Sequence, residues 1–187
     1  MPSVAIVPAA GRGERFGGMK LAAMVRGEPL LCHTLRCLLD GGVEQVVIVT
    51  TSGAELAHVT LAADPRVRRT VNPEPSRGMF SSIQAGMAAA DGDPILILPG
   101  DMPFVAAGTV SAVLAEARRS GAIVSPSHQG RRGHPIALPA RLKASILNAP
   151  EGSTLASVLD AHEKDRVSVE VDDPGVSKDV DVVSDLK

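Results

Sequence analysis

Val4-Ala5-Ile6-Val7-Pro8-Ala9-Ala10-Gly11-Arg12-Gly13-Glu14-Arg15-Phe16-Gly17-Gly18-Met19-Lys20 begins as an apolar run and breaks into a glycine-rich loop that ends at a lysine. The run reads as a buried strand, and the loop after it as a phosphate cradle. Glycines at 11, 13, 17 and 18 let successive backbone N–H groups converge on one anion where a Cβ would obstruct them. Arg12, Arg15 and Lys20 add the positive charge that a polyphosphate requires.

Two better-known glycine motifs do not fit. A P-loop needs Gly-Lys followed by Ser or Thr, whereas Gly18 is followed by Met19, Lys20 and Leu21, with no hydroxyl to hold magnesium. A dinucleotide fingerprint starting at Gly11 and Gly13 needs a small residue where Phe16 stands, and the second expected strand ends in Thr50-Thr51 without a ribose-binding acid. Both observations weigh against a dinucleotide-dependent oxidoreductase.

The chain has 187 residues, a length suited to one α/β domain. A hydrophobic content of 44% with 21% charged residues speaks against disorder, and the net charge of −2 speaks against a broad nucleic-acid surface. Three Phe without Tyr or Trp leave little aromatic surface for stacking bases. Cys32 and Cys37 read as buried reduced thiols, and with the scattered His33, His58, His128 and His162 they complete no zinc spacing. No segment approaches the ~20 apolar residues of a membrane span, and no basic leader precedes the first strand, so a cytoplasmic location is expected.

Downstream, the 30–39 pattern predicts a helix stopped by Gly41-Gly42, and Val46–Thr50 a strand buried on both faces. A returning helix is expected over 54–62, a strand over 67–71, and a surface connection from Asn72 to Arg77. A helix opens near Gly78-Met79 with Ser81 and Ser82 in its first turn, where hydroxyls and free N–H groups cap the helix or hold a ligand. The strand 94–98 ends in Pro99-Gly100-Asp101-Met102-Pro103, which brings an acid to the strand's carboxyl end, where ligands bind in open α/β sheets. A helix over 105–120 and a strand over 123–125 follow. Next comes the polar loop Ser127–Pro135 with Arg131, Arg132 and His134, before Ile136-Ala137-Leu138. Helices are expected over 139–147 and 153–162, the latter capped by Ser153, then a strand over 167–171. Asp179 and Asp181 alternate in an extended tail, and with Asp101 they form a candidate oxygen-ligand set for a hard cation.

The glycine loop, Gly78-Met79 with Ser81-Ser82 and Gly86, Gly100-Asp101-Met102-Pro103, Gly133-His134-Pro135 and Asp179-Val180-Asp181 occur in an order that resembles the molybdenum-cofactor nucleotidyltransferases, nearest the cytidylyltransferase branch. The resemblance implies a three-layer Rossmann-like fold, a mostly parallel central sheet flanked by helices. It also implies transfer of a nucleoside monophosphate to a phosphorylated pterin, with loss of pyrophosphate. By the same resemblance, Ala9, Ala10, Gly11, Gly13, Ser82 and Gly86 would bind the nucleotide, Arg15 and Lys20 would act on the triphosphate, and Asp101 and Asp181 would hold Mg2+. Arg131, Arg132 and His134 would face the acceptor. Ala9-Ala10-Gly11 resembles the branch that uses CTP, where the guanylyl branch has Leu-Ala-Gly-Gly. The tail departs from the family, with Val182-Val183-Ser184 where Thr-Pro is usual. A transient contact with a molybdoenzyme or its chaperone is the further partner implied. Another small-molecule nucleotidyltransferase, using GTP or a sugar phosphate, and a non-catalytic nucleotide-binding module are the alternatives.

Overall fold

The computed structural model describes residues 1–10, 20–51 and 59–180. The first apolar run forms strand β1 (Val4–Pro8), every residue of it buried. A two-stranded ribbon, β2 (Met24–Val25) and β3 (Glu28–Pro29), leads into helix α1 (Leu30–Asp40) and strand β4 (Gln45–Thr50). Strand β5 (Val67–Val71), helix α2 (Met79–Ala89), strand β6 (Ile95–Ile97) and helix α3 (Ala107–Ser120) follow. The last third contains β7 (Ile123–His128), β8 (Arg131–Arg132), β9 (Ile136–Leu138), α4 (Lys143–Leu147), α5 (Leu155–Asp160) and β10 (Arg166–Glu170).

The main sheet runs β10-β7-β9-β6-β1-β4-β5, with β8 appended to β7. Its β6-β1-β4-β5 half is parallel throughout, whereas β9 lies antiparallel to both β6 and β7. The continuous apolar runs of β1 and β4 follow from burial on both faces. Ala5, Val7, Val46, Ile48 and Leu96 pack with α1 and α3 on one side, while Val4, Ile6, Val47, Val49 and Ile95 pack with α2, α4 and α5 on the other. The result is the expected mostly parallel sheet between two helical layers.

Several boundaries differ from expectation. Ser127 and His128 extend β7 and are not loop, because Gln129 (φ 51°) and Gly130 (φ 76°) turn the chain back into β8 and give Ser127 and His128 strand partners. Helix α5 is capped by Thr154, not Ser153: the Thr154 hydroxyl accepts from Ser157 N–H and the Ser157 hydroxyl takes the Thr154 N–H, a reciprocal box that Ser153 cannot form. Of the helix expected over 54–62, residues 52–58 lie outside the described set, and Thr60–Ala63 forms a short 3-10 turn. No helix among the described residues is long and apolar enough to cross a membrane.

Candidate functional site

Parallel pairing carries β1 and β6 to the same edge in register, Ala5 opposite Leu96 and Ile6 opposite Ile97. Beyond the strands the two chains stay together, Leu98 N–H donating to Ile6 O at 3.1 Å and Gly100 N–H to Pro8 O at 3.0 Å. Pro8 has no N–H to donate, and its carbonyl is the group that continues the pairing here. Helix α1 adds a third anchor, since the buried Thr34 hydroxyl donates to Gly100 O at 3.0 Å. Asp101 is thus delivered beside the end of β1, where Ala9 and Ala10 are both buried.

Lys20, in the 3-10 turn Lys20–Ala22, meets this acid. Its Nζ lies 2.8 Å from Asp101 Oδ2, with side-chain exposures of 14% and 24%. A pair this shielded interacts more strongly than a surface pair, yet both groups remain open enough to meet a ligand. The structure therefore joins two residues that are 81 positions apart in the chain. Arg15, Gly11, Gly13 and Asp181, the other loop and tail candidates, lie outside the described residues.

His134 reaches the same edge because β9 is antiparallel: Ile136 pairs with Ile97, so β9 begins where β6 ends. The half-buried imidazole sits close enough to Asp101 and Asp179 for both acids to pull its pKa up, but burial outweighs them and holds it below the ordinary value. A neutral ring at neutral pH follows. Arg131 and Arg132 are exposed on β8. Arg132 is engaged by Ser168 Oγ and Glu163 Oε1, each at 3.1 Å, and neither arginine contacts Lys20 or Asp101 among the described residues.

At the start of α2, Ser82 is the sequence's candidate, and the residue that holds it, Asn72, is not among the candidates. Asn72 is 2% exposed, although it belongs to a segment expected on the surface. Its Nδ2 donates to Ser81 Oγ at 2.8 Å and Ser82 Oγ at 3.0 Å, and its Oδ1 accepts from Glu74 N–H. The available signal was an asparagine directly after a strand, a position from which a short amide bonds neighbouring backbone. Gly86 lies on the sheet-facing side of α2, where a Cβ would stand 2.3 Å from Ile6 Cγ2. Close packing of α2 on β1 accounts for that glycine. The Thr50 hydroxyl, at the end of β4, is buried without a hydrogen-bond partner among the described residues.

Cys32 and Cys37 are buried free thiols, as expected. Burial, reinforced by Asp173 and Asp40, pushes the Cys37 thiol up to about 12, so it is neither a nucleophile nor a soft-metal ligand at neutral pH. No group of three or more His, Cys, Asp or Glu side chains among the described residues could hold a metal alone.

Comparison with known proteins agrees with this architecture. The MobA-like NTP transferase domain matches residues 5–167. Nicotine blue oxidoreductase of Paenarthrobacter nicotinovorans is 31% identical over 191 residues, covering 97% of this chain and 93% of that protein. A nucleotidyl transferase from Methanothermobacter thermautotroptrophicus superposes with a TM-score of 0.78 at 25% identity, covering 98% of this chain and 94% of that one. Rv0371c from Mycobacterium tuberculosis H37Rv shares the fold with a TM-score of 0.82 at 21% identity over 99% and 96% of the two chains. That protein is also known in complex with manganese.

Proposed function

Because the chain belongs to the MobA-like NTP transferase family, a family of nucleotidyltransferases, we propose that it transfers CMP from CTP to a phosphorylated molybdenum-pterin cofactor and releases pyrophosphate. The observation that carries this reading is the Lys20–Asp101 pair at the shared edge of β1 and β6. A cation for phosphate oxygens and a carboxylate for a metal stand side by side at the end of the glycine loop. Phosphoryl chemistry of this kind depends on positioning and charge stabilisation more than on a covalent nucleophile.

Lys20 and Arg15 act on the triphosphate, neutralising charge that builds on the departing pyrophosphate. Backbone groups from Ala9, Ala10, Gly11 and Gly13 cradle the nucleotide, and Ser82, oriented by Asn72, meets the nucleoside, with Gly86 allowing α2 to approach. His134, with Arg131 and Arg132, serves the acceptor. In this arrangement residues 1–104 bind the nucleotide and 105–187 the acceptor, all in the cytoplasm, with product passed on through transient contact with a molybdoenzyme or its chaperone.

The donor set suits Mg2+. Asp101 offers a hard carboxylate oxygen at a partly exposed strand end, and Asp181 is the second ligand carried over from the family motif; water and phosphate oxygens complete such a shell. Manganese on the mycobacterial neighbour supports a divalent cation. When bound, Mg2+ supplies Lewis-acid polarisation of the α-phosphate. CTP is favoured over GTP by the Ala9-Ala10-Gly11 entrance.

A panel of nucleoside triphosphates with Mg2+ and a purified pterin acceptor, assayed for pyrophosphate, tests the proposal. CTP-dependent release is expected. Release with GTP, or only with a sugar-phosphate acceptor, would reassign the substrate, and binding without release would make the chain a non-catalytic nucleotide module. The identity to nicotine blue oxidoreductase gives a second reading, an oxidoreductase, which Phe16 and the missing ribose acid oppose. Oxidation of a nicotinamide cofactor without pyrophosphate release would replace the first reading by the second.

A further inference from the structure

We propose that Asp173 is a positioning residue for this site: its carboxylate locks the C-terminal segment 173–180 onto the loop that carries Asp101. The inference rests on the nucleotidyltransferase reading of the Lys20–Asp101 edge. Asp173 is 7% exposed, and burying an ionised carboxylate is costly unless its oxygens are satisfied. Here they are satisfied by neutral donors. Oδ2 accepts Ala106 N–H at 2.9 Å and Thr109 Oγ1–H at 2.6 Å, and Oδ1 accepts Gly175 N–H at 2.9 Å.

Two of those donors belong to the start of α3, where Ala106 occupies the N-cap position and has no side chain to cap with. Asp173 caps the helix from 67 positions away. The same helix start is joined to Asp101 by 102–105 alone, so fixing one restrains the other. From Asp173 the segment runs back along the site. A Cβ on Gly175 would stand 2.1 Å from Phe104 O, and one on Gly133 would stand 2.1 Å from Val176 O, so backbone meets backbone at both places. Val176 O accepts His134 N–H at 2.8 Å, the Lys178 ammonium lies 4.7 Å from the Phe104 ring centroid, and Val180 N–H donates to Asp101 O at 2.9 Å. Asp101 and His134, which lie on different loops, are thus held by one continuous segment whose first anchor is Asp173.

The test uses the full chain with Asp173→Asn and Thr109→Val, read by amide hydrogen exchange and by Mn2+ titration in the presence of CTP. Protection of the Val180 and His134 amides is expected to fall about tenfold or more in Asp173→Asn relative to amides of β1 and β4. Half-saturating Mn2+ is expected to rise about tenfold, with CTP affinity at saturating Mn2+ unchanged. Thr109→Val keeps both backbone donors and should show the same pattern at smaller amplitude, and it decides the matter if Asp173→Asn does not fold. Loss of protection confined to Ala106, Thr109 and Gly175, or spread evenly across the sheet, with Mn2+ binding unmoved, would reduce Asp173 to a helix cap and overturn the proposal. If the unmodified chain binds neither Mn2+ nor CTP, the nucleotidyltransferase reading fails, and exchange at Val180 and His134 still decides whether the segment is positioned by Asp173.

Discussion

The β6-β1-β4-β5 half of the sheet and the β9-β7-β10 half bring residues to the same edge by different means. In the first, parallel pairing sends the loops that follow its strands to one end, and backbone bonds continue past the strands to bring the Gly100-Asp101 stretch beside Pro8. In the second, β9 runs against its neighbours, so its beginning and not its end arrives at the site, and His134 comes with it. The 173–180 segment braces both arrivals, meeting Phe104 and Asp101 after β6 and gripping Gly133-His134 before β9. The parallel half brings its residue to the edge by the end of a strand and the mixed half by the beginning of one, and long-range contacts then hold both.

The largest expected effect falls where the first half delivers its chemistry. Lys20→Ala should lower turnover by about 10²–10³-fold, a far larger proportional loss than any fall in the unfolding midpoint, since its charge is asked to act on the departing pyrophosphate. An unaltered rate of pyrophosphate release would remove Lys20 from the site. Asp101→Asn should instead act through the metal, raising half-saturating Mg2+ by about tenfold or more, and an unchanged titration would discard it as a ligand.

Next in size is the joint between the halves. Gly133→Ala forces a Cβ against Val176 carbonyl backbone, and Gly86→Ala forces one against the Ile6 side chain, each an overpacking worth about 1–3 kcal/mol. Urea unfolding should show both losses. Only Gly133→Ala should also weaken protection of the His134 amide, because only there does the brace move. Equal exchange patterns in the two variants would erase the distinction between the halves.

The smallest effect near neutral pH belongs to the core behind them. The Cys37 pKa is raised from its ordinary 9.0 to about 12, so between those values the unfolded chain gives up a proton that the folded chain keeps. Stability should therefore be unaffected below pH 9 and fall as pH rises above it, by up to about 1.4 kcal/mol per pH unit. Cys37→Ala should remove that part of the slope in alkaline urea titrations, and a slope identical to the parent would place the thiol in a more polar setting.

What could be read from the chain follows the same division. Val4–Pro8, Val46–Thr50 and Ile95–Ile97 announce buried parallel strands because a strand covered on both faces must be largely apolar, and the acid after the last of them falls at the carboxyl edge of the sheet. Asn72 reads as a surface residue because it opens a polar stretch punctuated by Pro73 and Pro75, and local composition does not reveal that its amide reaches Ser81 and Ser82 in α2. Ser127 and His128 read as loop because their own residue types are polar; the tight Gln129-Gly130 turn pairs them with Arg131 and Arg132, and Ser127 gains a second, distant partner in Glu170 of β10.

By itself the sequence determined the alternation of strands and helices and the order of the family's motifs, since each is encoded by periodicity or by residue types with a local conformational preference. Only the tertiary structure decided that Lys20 would meet Asp101, that His134 would arrive from an antiparallel strand, and that Asp173 would cap a helix 67 positions earlier in the chain. Those contacts join groups with no local relation, and they form because burying two apolar faces of one sheet leaves the chain a single arrangement in which its buried polar groups are also satisfied.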